Sequence, residues 1–172
     1  MRILMVVAPK NFRDEEFLVP KQLFEGRGWT VKIASKAKAG ETAEGMLGAK
    51  VKIDLSISDA KVSDYDAIVF AGGTGASTYF NDPTAHMLAW QAYDTGRVVG
   101  AICIAPSILA NANVLQGKRA TGWPSERENI AAKSAGYTGA DVEVAGRVVT
   151  GKAPPAAKKF AEAIANLLEK KQ

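Results

Sequence analysis

Three runs of mostly apolar residues punctuate the chain, at residues 3–8, 66–71 and 98–102. A strand that is covered on both faces shows a continuous apolar run, so each run predicts a buried strand of a parallel sheet. Thr30–Ser35 is predicted as a further strand. Residues 50–55 alternate between polar and apolar side chains, which predicts a half-exposed strand at a sheet edge and a possible dimer edge.

Segments with helical spacing of apolar residues lie between the strands and favour an α/β fold, with helices on both faces of a mostly parallel sheet. The first helix begins with the acidic run 14–16, and Pro20 is expected near its first turn. Residues 142–150 predict a hairpin around Ala145-Gly146. The helices are expected at residues 15–26, 83–93, 106–112 and 125–134, and after Pro154-Pro155.

Composition excludes several classes of function. The 172 residues are 47% hydrophobic and 23% charged, as in a soluble globular protein, and they predict one domain over 1–172. The net charge is +4, but the basic residues are scattered, which disfavours a nucleic-acid partner. One cysteine and one histidine cannot form an internal disulfide or a cysteine or histidine metal cluster, and no metal or cofactor is expected. The apolar start is too short for a membrane span or a signal sequence, so we expect a cytoplasmic protein without a membrane partner.

The single cysteine, Cys103, lies between the apolar run 98–102 and a helix that starts near Pro106. A side chain on such a turn faces the free N–H groups and the positive end of the helix. Both favour an anion, so the pattern predicts a thiol with a lowered pKa and a reactive thiolate. The alternative is a small apolar residue that closes a buried strand.

Two further stretches follow strands in the same way. Gly72-Gly73 comes after the run 66–71, without the spacing or the lysine of a phosphate-binding loop. These glycines either form a plain turn or let backbone N–H groups approach a ligand closely. Because ligands bind at the carboxyl ends of parallel strands, we expect Gly72-Gly73, Cys103 and the loop before Glu16 to converge at one end of the sheet.

These segments, in their order and spacing, resemble the PfpI/ThiJ superfamily, which includes PfpI-type intracellular proteases and the parkinsonism-associated deglycase. The resemblance implies a flavodoxin-like three-layer sandwich with the cysteine on a nucleophile elbow, and a homodimer or higher homo-oligomer. It places the nucleophile on Cys103, its hydrogen-bonding acid on Glu16, and the oxyanion-binding amides on Gly73 and Ile104, with Gly72 beside them. The resemblance rests on residues 3–7, 14–20, 67–73, 101–106 and 149–154, and Thr74 and Trp123 are candidate pocket walls, with Trp123 alternatively a core residue.

The chain also departs from that family's pattern. PfpI-type members usually carry a histidine directly after the cysteine, where this chain has Ile104. The deglycase branch carries one just before the proline of a Thr-x-x-Pro stretch, where this chain has Trp123, and the third member of the protease triad falls near Ser77. His86 matches no catalytic position of the family and is interpreted as a surface or packing residue. No cysteine–histidine pair is therefore predicted within the chain.

Without a histidine, Glu16 is the titratable partner that remains for Cys103. Burial beside a thiolate would raise its pKa, and the protonated carboxyl could then donate a hydrogen bond and transfer protons. Glu15 competes for this role, but neighbours on a helix point about 100° apart, so only one can face the cysteine, and the motif favours Glu16.

Three functions remain open. The first is an enzyme of the glyoxalase or deglycase type, which adds the thiolate to a small carbonyl substrate and holds the oxyanion on the Gly73 and Ile104 amides. The second is a non-catalytic redox sensor or stress protein, whose partner is an oxidant that converts Cys103 to a sulfinate. The third is a PfpI-type cysteine peptidase, which would need a histidine from a neighbouring subunit, with His86 as the only candidate.

Overall fold

The structure is a computed structural model that describes residues 1–170. Its strands and helices alternate along most of the chain, as the apolar pattern predicts. The strands are β1 Arg2–Val6, β2 Lys10–Phe12, β3 Thr30–Ser35, β4 Thr42–Gly45, β5 Lys50–Lys52, β6 Leu55–Ser56, β7 Ala67–Phe70, β8 Val98–Ile102, β9 Arg119–Ala120, β10 Gly136–Tyr137, β11 Val142–Ala145 and β12 Val148–Gly151. The α-helices are α1 Asp14–Gly26, α2 Pro83–Asp94, α3 Pro106–Asn111, α4 Arg127–Ala132 and α5 Ala157–Glu169, and short 3₁₀ turns cover Ile57–Asp59, Val62–Asp64, Thr74–Tyr79, Pro124–Glu126 and Pro154–Ala156.

A seven-stranded sheet with the order β11-β12-β8-β7-β1-β3-β6 forms the middle layer. All its pairs are parallel except the β11–β12 hairpin. Alternate residues of β1 enter two separate cores: Leu4 and Val6 pack on the side of α2 and α3, and Ile3 and Met5 on the side of α1 and α5. The flavodoxin-like three-layer arrangement expected from the sequence is thus confirmed.

The segment between β3 and β7 differs from the prediction. The connection expected at residues 36–48 contains β4, and the single edge strand expected at 50–55 is divided between two sheets. β5 pairs with β4 in a small sheet with β2, whereas β6 pairs with β3 at the edge of the main sheet. The change of sheet falls between Ile53, whose N–H donates to the carbonyl of Glu41 at 2.9 Å, and Asp54, whose carboxylate accepts the N–H of Ile33 in β3 at 2.8 Å.

Two helices also differ from the prediction. α1 begins at Asp14, so Pro20 is its seventh residue and lies in the second turn rather than the first. Proline lacks an N–H, and the carbonyl of Glu16 therefore loses its usual helical donor. The helix expected at 125–134 is shorter, because the chain leaves α4 at Ala132 and forms β10, which pairs with β9.

Within residues 1–170, no helix combines the length and the apolar character that crossing a membrane requires.

Candidate active site

Cys103 forms a sharp turn directly after β8. Its φ is 65°, which a residue with a side chain rarely adopts and which stores backbone strain. Hydrogen bonds fix both sides of the residue: its N–H donates to the carbonyl of Gly151 at 3.0 Å, and its carbonyl accepts the N–H of Trp123 at 2.8 Å. The predicted elbow is therefore present, and two neighbouring segments hold it in this conformation.

Glu16 lies in the first turn of α1 and is completely buried, with 0% of its surface exposed. Across residues 1–170, neither of its carboxyl oxygens has a hydrogen-bond partner. The Cys103 thiol and the Gly72 N–H approach the carboxyl and favour its charged form, although neither contact has the geometry of a hydrogen bond. A buried carboxyl without a hydrogen-bond partner destabilises the folded protein, and such groups are concentrated at functional sites.

The two glycines after β7 make this close approach possible. A Cβ atom on Gly72 would collide with a Glu16 carboxyl oxygen and would stand 2.6 Å from the Cys103 Cβ atom. Gly73 has a φ of 97°, and a Cβ atom there would collide with the backbone at Arg13. Neither glycine can therefore carry a side chain without displacing these neighbours, and the approach of their N–H groups to a ligand stays a prediction.

The acid and the thiol have strongly altered proton affinities. Burial raises the pKa of Glu16 to about 7, and the nearby Cys103 thiol and Gly72 N–H only partly oppose this. Burial, and after it the negative charge of Glu16, raise the pKa of the Cys103 thiol to about 12. The N–H groups of Gly73 and Ile104 lower the thiol pKa, but by less. The predicted thiol of lowered pKa is thus wrong, because α3 has only six residues and the elbow is buried against an acid.

The two groups titrate as one pair. Since Glu16 loses its proton near pH 7 and the thiol keeps its own far above that, the pair holds two protons below about pH 7 and one proton over a wide range above it. A thiolate can form in this range when the remaining proton moves to Glu16. In that arrangement a thiolate lies beside a protonated carboxyl, so the acid controls how much thiolate is present.

A pocket of about 190 Å³ opens over the sulfur. Trp123 is 43% exposed and forms a wall of this pocket, which decides between the two roles that the sequence left open. Thr74 also lines the pocket, as expected, whereas Gly72 and Glu16 lie behind the thiol. The lining residues are Arg13, Met46, Gly73, Thr74, Cys103, Ile104, Trp123 and Pro154.

Arg13 and Met46 belong to the pocket lining but not to the residues expected from the sequence. Arg13 pairs side-on with Glu15, from Nε at 2.7 Å and Nη2 at 3.1 Å, so Arg13 engages the Glu15 carboxylate, whereas Glu16 is the acid beside the thiol. Because Arg13 lies directly before the acidic residues 14–16, the sequence could have identified it as a candidate residue of the site. The residues around Met46 do not mark it as a pocket residue, because the pairing of β4 with β2 and β5 in the small sheet brings it to the pocket.

The single histidine does not reach the pocket lining. The Nε2 atom of His86 lies 2.7 Å from the carbonyl oxygen of Phe80, in agreement with a packing role. Ser77 donates its hydroxyl to the carbonyl of Thr74 at 3.0 Å and supplies no acid to the thiol. Among residues 1–170, no three histidine, cysteine, aspartate or glutamate side chains are grouped so that they could hold a metal ion.

Comparison with known proteins gives one consistent family. The sequence model described as the DJ-1/PfpI family matches residues 1–167. The chain is 40% identical to an uncharacterised protein of Methanocaldococcus jannaschii over 98% of this chain and 83% of the relative. It is 29% identical to a deglycase of Pyrococcus horikoshii over 90% and 91% of the two chains. The crystal structure of a ThiJ/PfpI domain protein from Brachyspira murdochii superposes with a TM-score of 0.95 at 32% identity, over 99% of this chain and 98% of that one.

Proposed function

Because the chain belongs to the DJ-1/PfpI family, we propose that it transforms small reactive carbonyl compounds, with Cys103 as the nucleophile and Glu16 as the acid and base. The observation that carries the proposal is the buried, unpartnered carboxyl of Glu16 beside the thiol. A carboxyl with a pKa of about 7 is suited to both accepting and donating a proton near neutrality. The deglycase name of the Pyrococcus relative points to the same class of substrate.

The first step forms a bond between sulfur and carbon. Glu16 accepts the thiol proton while the sulfur attacks the aldehyde carbon of an α-oxoaldehyde such as methylglyoxal. The electron pair of the C=O bond moves to the oxygen, where the Gly73 and Ile104 N–H groups, which already favour negative charge on the sulfur, can stabilise it. Glu16 then returns its proton to this oxygen, and the product is a hemithioacetal.

The second step moves a proton within the substrate. Glu16, again a carboxylate, removes the hydrogen from the former aldehyde carbon, and the electron pair forms an enediolate with the neighbouring carbonyl. Return of the proton to the neighbouring carbon, with transfer of the hydroxyl proton to the neighbouring oxygen, gives a thioester of Cys103. Water hydrolyses this thioester, so the overall change converts methylglyoxal and water into lactate, and no external oxidant or reductant is consumed.

This sequence of steps explains how the protein can work without a histidine. Every proton that leaves or reaches a sulfur or carbon atom in the first two steps passes through the same carboxyl, and the remaining proton moves between the two substrate oxygens. Peptide hydrolysis would also require protonation of a leaving amine, and the only histidine lies outside the pocket lining. The arrangement therefore favours carbonyl chemistry over peptidase chemistry.

Methylglyoxal turnover tests the proposal directly. We expect the wild-type protein to form lactate, Cys103→Ala to lose turnover completely, and Glu16→Gln to reduce kcat at least about 100-fold, the scale of general acid–base catalysis. Asp82→Asn is a matched acid control, because Asp82 caps α2 outside the pocket lining, and its kcat should stay close to wild type. Turnover that survives in Cys103→Ala would contradict the proposal.

The pH dependence of Cys103 alkylation tests the shared proton. In the wild type, alkylation should increase in two steps, one near pH 7 and one near the thiol pKa of about 12. Glu16→Gln removes the negative charge and the proton acceptor, so a single step at a pKa below 12 is expected. A wild-type profile with one step, unchanged in Glu16→Gln, would show that the two groups are not coupled.

The same site supports a second candidate function, a redox sensor. The thiolate would attack a peroxide, which is reduced as sulfur is oxidised, first to a sulfenate and with a second peroxide to a sulfinate. The protonated Glu16, which has no other partner within residues 1–170, could donate a hydrogen bond to a sulfinate oxygen. Mass spectrometry after mild peroxide treatment distinguishes the functions: a gain of two oxygens on Cys103, in a protein without methylglyoxal turnover, would favour the sensor.

A further inference from the structure

Among residues 1–170, Arg13 is the one cationic side chain that lines the pocket over Cys103, and it lies where this pocket meets a neighbouring groove. Arg13 lines both this pocket of about 190 Å³ and an open groove of about 500 Å³ beside it. Trp123 and Pro154 also line both cavities, so the three residues mark the boundary between them. A molecule whose reactive carbon is at the sulfur can extend past Arg13 into the groove.

The guanidinium of Arg13 is oriented and still has donors available. Its side-on pairing with Glu15 uses Nε and Nη2, so both N–H bonds of Nη1 and one of Nη2 are left for another partner. The main chain is fixed as well, because the Arg13 N–H donates to the carbonyl of Gly72 at 2.9 Å. An arginine that is already oriented and still has free N–H donors can bind a planar anion with little loss of side-chain entropy.

The positive charge of Arg13 can offset the negative charge that the site itself carries. The Glu16–Cys103 pair carries one negative charge in its reactive state and would repel an anionic substrate. The hydrogen bond to Glu15, and after it the negative charges of Glu15, Glu16 and Cys103, raise the pKa of Arg13, so the guanidinium stays positive. The rest of the pocket is lined largely by apolar side chains, those of Met46, Ile104, Trp123 and Pro154. Arg13 is therefore the group that can compensate a negative charge on an entering molecule.

We propose that Arg13 selects α-oxoaldehydes that carry a carboxylate, by holding the carboxylate at the pocket entrance while the aldehyde carbon reaches Cys103. This inference rests on the proposed function and adds the substrate class. Arg13 acts here as a specificity-determining residue, and its contribution is seen in the ratio of the rates for an anionic and a neutral molecule of similar size.

The first test does not depend on turnover. Iodoacetate and iodoacetamide both alkylate Cys103 by forming a C–S bond and releasing iodide, and they differ in charge. We expect Arg13→Gln to lower the ratio of their rate constants, iodoacetate over iodoacetamide, about fivefold, as for a partly exposed ion pair. Changes in thiolate population affect both reagents equally and cancel in the ratio.

Arg27→Gln is the matched control. Arg27 pairs with Glu169 through Nε at 2.9 Å, and its side chain is 32% exposed, against 2.7 Å and 30% for Arg13. It does not line the pocket, so the ratio should stay at the wild-type value. Arg13→Lys keeps the charge and should recover most of the ratio. An unchanged ratio in Arg13→Gln, or an equal decrease in Arg27→Gln, would overturn the inference.

The second test uses substrates. Wild-type protein should show a higher kcat/KM for 4,5-dioxopentanoate, an α-oxoaldehyde with a terminal carboxylate, than for methylglyoxal, and Arg13→Gln should reduce this preference about fivefold. If the wild type turns over methylglyoxal and dioxopentanoate with equal kcat/KM, the inference about Arg13 fails and the proposed function stands. If neither compound is turned over, the proposed function fails, and the alkylation ratio still decides whether Arg13 attracts anions.

Discussion

The two ends of the main sheet use glycine for opposite reasons. Gly96, just before β8, has a φ of 72°, and a Cβ atom there would meet nothing within 4 Å. Gly72, just after β7, has no such φ, and a Cβ atom there would collide with Glu16, Cys103 and the carbonyl of Ile102. Gly96, at the amino end, supplies a backbone conformation, whereas Gly72, at the carboxyl end, supplies space.

The acids at the two ends differ in the same way. Asp66, before β7, accepts the N–H of Arg2 at 2.8 Å, so its carboxylate is satisfied. Glu16, at the other end, is buried without a hydrogen-bond partner among residues 1–170. One end of the sheet follows the ordinary rules of stability, and the other departs from them where the chemistry is proposed, which is the pattern expected of a functional site.

The largest effect is expected from filling the space at Gly72. Gly72→Ala forces Glu16 and the elbow apart, and we expect it to lower the free energy of unfolding by at least about 3 kcal/mol. Gly96→Ala should cost only about 1 kcal/mol, because its cost is conformational and its surroundings are open. Urea denaturation of the two variants measures the difference, and equal losses would contradict the contrast between the two ends.

A somewhat smaller effect is expected from the titration of Glu16. Its pKa is raised in the folded protein from 4.5 to about 7, so the folded protein holds a proton that the unfolded chain has released between these values. The free energy of unfolding should therefore fall as the pH rises through this range, by about 3 kcal/mol in total, since one pKa unit corresponds to ~1.4 kcal/mol.

Glu16→Gln should remove most of this decrease, because glutamine does not titrate. Glu15→Gln is the control next to it on α1: Glu15 is ion-paired and its pKa is lowered by Arg13, so that variant should keep the wild-type slope between pH 4.5 and 7. A Glu16→Gln protein with the wild-type slope would show that Glu16 does not hold the proton.

The smallest effect concerns the backbone of the elbow. Since Cys103 has a φ of 65°, Cys103→Gly should be about 1 kcal/mol more stable than Cys103→Ala, although both lack the thiol. Ala112, nearby at the end of α3, has a φ of −81°, and Ala112→Gly should not be stabilising there. Equal stabilities for the two Cys103 variants would mean that the elbow carries no strain.

Sequence patterns were sufficient for the part of the molecule that is governed by local rules. The buried strand Val98–Ile102 and the strand Thr30–Ser35 agree with their predicted limits, because apolar runs and flanking glycines act over a few residues. The convergence of Glu16, Gly72-Gly73 and Cys103 followed from the position of each after a strand. The resemblance to a family then assigned their roles, which remain predictions.

What the sequence could not predict depends on distant contacts. The strands β4 and β5 are short, and their pairing is decided by contact with β2 rather than by their own pattern. The raised thiol pKa depends on how deeply the elbow is buried and on the charge of Glu16, neither of which a pattern shows. Met46 enters the pocket for the same reason, since its N–H donates to the carbonyl of Phe12 in β2 at 2.9 Å, far away in sequence.

Asp14 connects α1, which carries Glu16, with the turn that carries the pocket residue Met46. This buried residue opens α1, two positions before Glu16, and its carboxylate accepts the N–H groups of Leu47 at 3.0 Å and Ala49 at 2.8 Å in the turn that carries Met46. For an evolving lineage, this arrangement separates two kinds of change. Substitutions of Met46 alter which molecules fit the pocket and leave Glu16 in place, whereas a substitution of Asp14 disturbs both the pocket wall and Glu16. New substrate preferences are therefore expected to arise most readily from substitutions in the turn of the small sheet that carries Met46.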